Sequence, residues 1–188
     1  MKYVVSLEIA SPRERVAQLL ADPAHLPNWL RGLVLHEPLS GLHGQVGTTS
    51  RVVLQMGEQQ MEGTETITRR EPNDLHGIPR GDVVHFEREI VAKGMWSAAR
   101  EQLTEAGPEA TLWVSENEYR FSGLPMRLVG QVMRRSFRKQ SLLHMQDFKA
   151  FAERELTSAT SRPDRTARGA GDAADWAGHR RVSARAGA

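Results

Sequence analysis

The chain has no cysteine among its 188 residues. That excludes disulfides, thiolate nucleophiles and thiolate metal sites together. Aromatic residues are scarce, at 6%, so each tryptophan carries information about packing. No apolar run approaches the roughly 18 residues that a membrane-spanning helix needs. The opening "MKYVVSLEIASPRER" lacks the apolar length and the small-residue cleavage site of a signal peptide. A cytoplasmic protein is expected. Net charge is also small: 25 Lys and Arg stand against 23 Asp and Glu. The excess sits in the tail, where Arg162, Arg165, Arg168, Arg180, Arg181 and Arg185 face only Asp164, Asp172 and Asp175. The remainder is nearly neutral, so general electrostatic binding of nucleic acid is not expected.

Several reaction classes lack their motifs. The seven histidines show no HxH or HExxH spacing, so no metal is expected. "GLHGQVG" (41–47) has the glycines of a phosphate loop. It lacks the Lys-Ser/Thr ending and leads into a β-rich run, so it reads as a turn. No Gly-x-Ser-x-Gly elbow is present, which disfavours a serine hydrolase. No cofactor is implied.

What is present is alternation. In "KYVVSLEIA" (2–10), Val5, Leu7 and Ile9 share one face and Ser6 and Glu8 the other, as in a strand. "SPRERVAQLLADP" then predicts a helix. Ser11 is placed as N-cap, Pro12 at the first position and Glu14 three after the Ser, with Val16, Leu19 and Leu20 as the stripe. Pro23 stops it, and "AHLPNWLRGL" reads as a second short helix carrying Trp29. Strands follow at 33–39, 48–56, 60–71, 82–91, 94–105 and 111–123, joined mostly by short turns, as in an antiparallel meander. Residues 124–155 have a helical period. Leu128, Val129, Val132, Met133, Phe137, Leu143, Phe148 and Phe151 approximate one stripe, Pro125 opens it and Gly130 is its weak point. From residue 156 to 188 the chain is an Ala/Gly/Arg-rich tail, Trp176 apart, and disorder is expected there.

The order predicts an α+β protein: a curved antiparallel sheet, two short N-terminal helices and one long C-terminal helix across the apolar face. The residues "VSLEIASPRERVAQLLADPAHLPNW", "GMWSAAREQL", "ATLWVSENEYRFSG" and the helix after "GLP" resemble the START-like superfamily, also called SRPBCC, of helix-grip fold. Within it, the resemblance is to the polyketide cyclase/dehydrase and lipid-transport type, over residues 1–155. It implies a ligand-binding domain with a cavity between sheet and helix for a small apolar or amphipathic molecule. It carries over no catalytic residue, and members of the superfamily differ in function.

On that expectation the cavity is lined by Trp29, Met56, Met61, Phe86, Met95, Trp96, Trp113, Met133 and Phe137. Methionine and aromatic side chains suit an adaptable apolar pocket. A filled core is the competing reading, and a one-residue parity error would invert which side chains face inward. His85, beside Val83, Val84 and Phe86, is the candidate acid or base, and Arg69 a candidate to orient a ligand oxygen. The ordinary role of both is a hydrogen-bonded or solvated strand residue. "RRSFRK" (134–139) reads as a solvated helix face with Phe137 turned inward. Its functional reading is contact with an acidic partner, RNA or a membrane surface, as in a protein or ribonucleoprotein interaction module. Three functions stay open: ligand carrier, polyketide-type cyclase or dehydratase, and interaction module.

Overall fold

A computed structural model describes residues 1–122 and 133–160. Strand β1 (Lys2–Ile9) leads to helix α1 (Arg13–Ala21), a 3-10 turn (Pro23–His25) and the short helix α2 (Leu26–Trp29). Six strands follow: β2 (Leu33–Ser40), β3 (Thr49–Met56), β4 (Gln59–Glu71), β5 (Val84–Ala92), β6 (Met95–Gly107) and β7 (Ala110–Phe121). Helix α3 (Arg134–Thr160) comes last. The strands make one antiparallel sheet in the order β1-β7-β6-β5-β4-β3-β2. The expected α+β helix-grip architecture is present. Pro125, Leu128, Val129, Gly130 and Val132 lie outside the described residues, as does the tail from residue 161. Helix α3 runs to Thr160, five residues beyond the expected boundary at 155.

The helix start differs from expectation. Pro12 occupies the N-cap position of α1 and no side chain caps it. The Ser11 hydroxyl is buried without a hydrogen-bond partner, while its carbonyl accepts from Thr111 Oγ1 at 2.7 Å. Glu14 is drawn away, accepting from the Ile78 N–H and from Gln18. Burial against β7 has overridden the local capping pattern. The "DPAHLPNW" segment behaves as its prolines dictate. Asp22 Oδ1 accepts from Ala24 N at 2.9 Å, capping the 3-10 turn, and Pro27 sits in the first turn of α2.

The space between sheet and α3 has two halves. One is dry: Ile9, Val16, Leu19, Val84, Leu103 and Phe148 are essentially inaccessible. Trp29 and Trp113 meet Phe148 edge-on, with ring centroids 5.2 and 5.1 Å away. These two indoles form the partition, because both also line the cavity beyond it. Helix α3 is pinned to β1, with Lys149 donating to the Glu8 carbonyl and Glu153 accepting from Ala10 N. It is pinned to the α2 segment by a bidentate Arg31–Asp147 pair at 2.9 and 3.0 Å.

Candidate functional site

The far half of that space is a cavity of about 600 Å³, within the range of small-molecule sites. Side chains of alternating strand residues build it. On β6 the inward set is Met95, Ser97, Ala99, Glu101 and Leu103; on β7 it is Trp113, Ser115, Asn117 and Tyr119. Small residues in mid-strand keep the space open. Helix α3 answers with Ser136, Phe137, Gln140, Ser141 and His144 on one face, and Met133 stands just before it. Tyr119 packs on Phe137 at 4.8 Å between centroids and Tyr3 bonds Ser141 at 3.0 Å, closing one side. Met56 and Met133, both exposed, stand at the rim.

The floor is charged. Glu101 is buried and accepts from Trp113 Nε1 at 2.6 Å. Burial pushes its carboxyl above the usual range, and neither the Arg88 charge nor the bonds from Trp113 and Ser115 cancel that. Glu65 lies nearby in the opposite state. Burial alone would raise it, but the hydrogen bond from His36 and the Arg88 charge outweigh burial and hold its carboxyl low. His36 Nε2 is 3.0 Å from Glu65 Oε1, and Arg88 Nε is 4.0 Å from Oε2. His144, on α3, is pushed low by burial and then by Arg88. Two carboxyls with divergent states beside one guanidinium are an acid–base arrangement. They can also seat a ligand oxygen.

Of the expected lining residues, Trp29, Met56, Met61, Met95, Trp113, Met133 and Phe137 lie on this cavity. Phe86 faces the same side of the sheet but lines a smaller cavity next to it. Trp96 is on the outer face, donating to Glu89 at 3.1 Å beneath the Arg120 guanidinium. Consecutive strand residues point to opposite sides, so Met95 and Trp96 cannot both face in. His85 and Arg69 are likewise on the outer face. His85 stands opposite Glu71 and Gln102 in the ladder, in phase with Glu87 rather than with Val84 and Phe86. Arg69 pairs with Glu71 and Glu87 in a ladder of ion pairs that continues through Arg100, Glu116 and Glu118 to Lys2. A β-bulge at Thr68 turns Arg69 outward and Arg70 inward.

The residues missed are the polar floor: His36, Glu65, Arg88, Ser97, Glu101, Ser115 and Asn117, with His144 above. Arg134, Arg135, Arg138 and Lys139 are exposed on α3, as expected of a solvated face. Among the described residues no group of three or more His, Asp or Glu is placed to hold a metal ion. No described helix is long and apolar enough to cross a membrane.

No family model matches the chain, and no curated protein matches it either. Solved structures do. The Zhui aromatase/cyclase from Streptomyces sp. R1128 superposes with a TM-score of 0.65 at 14% identity, covering 85% of this chain and 97% of that one. A norcoclaurine synthase point mutant from Thalictrum flavum, in complex with a transition-state analogue, gives 0.60 at 17% identity, over 84% and 97%. Major latex-like protein 151 from Panax ginseng gives 0.56 at 15% identity, over 81% and 97%. At these identities the likeness is one of fold: the chain shares the helix-grip fold of these proteins.

Proposed function

We propose that this domain binds a small amphipathic molecule with an aromatic or alicyclic body in the sheet–helix cavity. The observation that carries the reading is a space of about 600 Å³ with apolar walls and a charged floor. Trp29, Trp113, Phe137 and the methionines take the body of the ligand. Arg88 and the Glu101 carboxyl offer hydrogen bonds to an oxygen at its end, and Glu65 accepts one. A free carboxylate ligand fits poorly, because Glu65 already sets a negative charge 4.0 Å from Arg88.

Native mass spectrometry of protein purified from its own host is the direct test, and a copurifying compound of this class is expected. Titration calorimetry with 2-naphthol supplies a defined probe. Saturable binding is expected for the native chain, and weakened binding with an unchanged melting temperature for Ala99→Phe, whose ring projects into the cavity. An empty protein that also fails to bind the probe would overturn the reading.

The opposed states of Glu101 and Glu65 favour a second reading, catalysis of the cyclase or dehydratase kind. A neutral Glu101 gives a proton to a ligand carbonyl oxygen while ionised Glu65 takes one from carbon, so charge balances across the step. On this reading Glu101→Gln retains probe binding and abolishes turnover.

A further inference from the structure

The cavity floor has a back. A second, smaller cavity of about 60 Å³ lies between the end of α1, at Ala21 and Pro23, and Gly44 of the β2–β3 loop. It shares His36, Glu65, Arg88 and Glu101 with the large cavity. The charged cluster is therefore the wall between the two, and the smaller has room for a few water molecules.

One chain of hydrogen bonds runs through that wall. His43 is exposed on the loop, and its Nε2 is 3.1 Å from His36 Nδ1, with ring centroids 5.1 Å apart and planes within 19° of parallel. The other nitrogen of His36 is the one that meets Glu65 at 3.0 Å. His36 and Glu65 are 7% and 12% exposed at the side chain. The inner end sets the polarity of the bond to Glu65. Ionised Glu65 can only accept, so His36 Nε2 carries the hydrogen, and with one proton on the ring its Nδ1 accepts from His43 Nε2–H.

The loop that presents His43 is built to stay in place. Arg70, turned inward by the bulge, donates to the Gly44 carbonyl at 2.9 Å. Gly44 has φ +81° and approaches so closely that a Cβ there would lie 3.1 Å from the Ala21 carbonyl. Thr48 donates to the Leu42 carbonyl. The charged and titratable groups around the chain are Asp22 at the end of α1, Arg70 on β4, Arg88 on β5, Glu101 on β6 and His144 on α3.

We infer that His43, His36 and Glu65 form a proton relay joining solvent to the cavity floor from behind, so that the floor exchanges protons while a ligand fills the cavity. Inward, a proton from water binds His43 Nδ1. The Nε2 proton of His43 passes to His36 Nδ1, and that of His36 Nε2 passes to Glu65 Oε1. Both rings end neutral in the other tautomer and Glu65 ends protonated. The outward transfer reverses each step and resets the rings, so the two directions alternate. The relay serves the ligand site proposed above and rests on that reading for its purpose, though not for its existence.

Nitrogen-15 NMR of histidine side chains in the full chain tests it. The native protein should show His36 with its proton on Nε2 and a scalar coupling across the hydrogen bond between His43 Nε2 and His36 Nδ1. Exchange of the His36 Nε2 proton with solvent should persist when 2-naphthol fills the cavity. His43→Phe, which keeps an aromatic ring but no nitrogen, should slow that exchange about a hundredfold, the lower end of what a positioned acid–base group contributes. A His36 proton on Nδ1, or exchange that stops when the cavity is filled and ignores His43→Phe, overturns the relay. If 2-naphthol does not bind, the ligand reading fails, while the tautomer and the His43→Phe result still decide the relay.

Discussion

Replacing Glu101 with glutamine separates a neutral buried carboxyl from an ionised one. Its side chain is buried, with donors in Trp113 Nε1 at 2.6 Å and Ser115, and Arg88 as the nearby charge. Glutamine keeps the shape, and its Oε1 can accept the same indole hydrogen bond. The difference between the two proteins is then the cost of ionisation. The carboxyl is raised in the folded state, so the unfolded chain releases its proton first as pH rises. Below about pH 4, where carboxyls are protonated in both states, the two proteins should share one pH dependence. Above that, wild-type stability should fall relative to Glu101→Gln by about 1.4 kcal/mol per pH unit until the folded carboxyl itself ionises. Beyond that point the gap should be constant. Urea unfolding midpoints of both proteins between about pH 4 and 8 supply the measurement. A gap that stays flat, or that grows in favour of wild type, would refute the argument and show Glu101 ionised against Arg88.

Glu65 should give the opposite sign. Its carboxyl is held low by His36 and Arg88 against burial, so its stabilisation is full above the unfolded value near pH 4.3 and is lost as pH falls through the folded one. The stability gap between wild type and Glu65→Gln, followed by urea midpoint, should shrink on acidification, and a pH-independent gap would count against the pairing. Phe148→Ala removes the ring that Trp29 and Trp113 both abut and should cost about 3–5 kcal/mol, read by denaturant unfolding; a loss below 1 kcal/mol would mean the partition repacks. Gly63→Ala places a methyl 2.9 Å from both Ile90 Cγ2 and the Val91 carbonyl. It should destabilise by about 1–3 kcal/mol, and an unchanged melting temperature would show that β5 yields freely.

The sheet was legible because its strands alternate and its turns are short. The apolar part of the cavity was legible for the same reason: Met61, Met95 and Trp113 sit in phase with the inward residues of their strands. The floor was not, although a signal existed. Arg88 falls in phase with Val84, Phe86 and Ile90, and Glu101 in phase with Met95 and Leu103. A charge on the apolar parity marks a buried charge, whereas composition alone assigns it to the solvated face. Arg69 and His85 failed in different ways. His85 is on the polar parity of its strand and is set apart only by its residue type. Arg69 is in phase with Glu65 and Ile67 by counting, and only the bulge at Thr68 sends it outward. A bulge adds one residue without altering composition, so the alternation does not announce it. Ser11 failed because a capping pattern is local and its burial against Thr111 is not.

The two halves of the sheet–helix space differ by side-chain volume at equivalent positions, and that difference locates the cavity on which the proposed function rests. Where β6 and β7 carry Leu103 and Trp113, the space is filled and dry. Where they carry Ser97, Ala99, Ser115 and Asn117, it is open. Filling the open half with leucine and phenylalanine would bury more apolar surface and stabilise the fold, at about 25 cal/mol per Å². Placing charges at the boundary costs stability unless each is neutralised or paired. Glu101 is raised toward its neutral form, and Glu65 is matched by His36 and Arg88. Both devices limit the cost of keeping polar groups where packing alone would place apolar ones. The fold is held by the dry half, the outer ladder of ion pairs and the clamps on α3. Trp113 joins the dry half to the floor through its bond to Glu101, and on the ligand reading proposed above the remaining polar groups of the floor are kept for what binds on them.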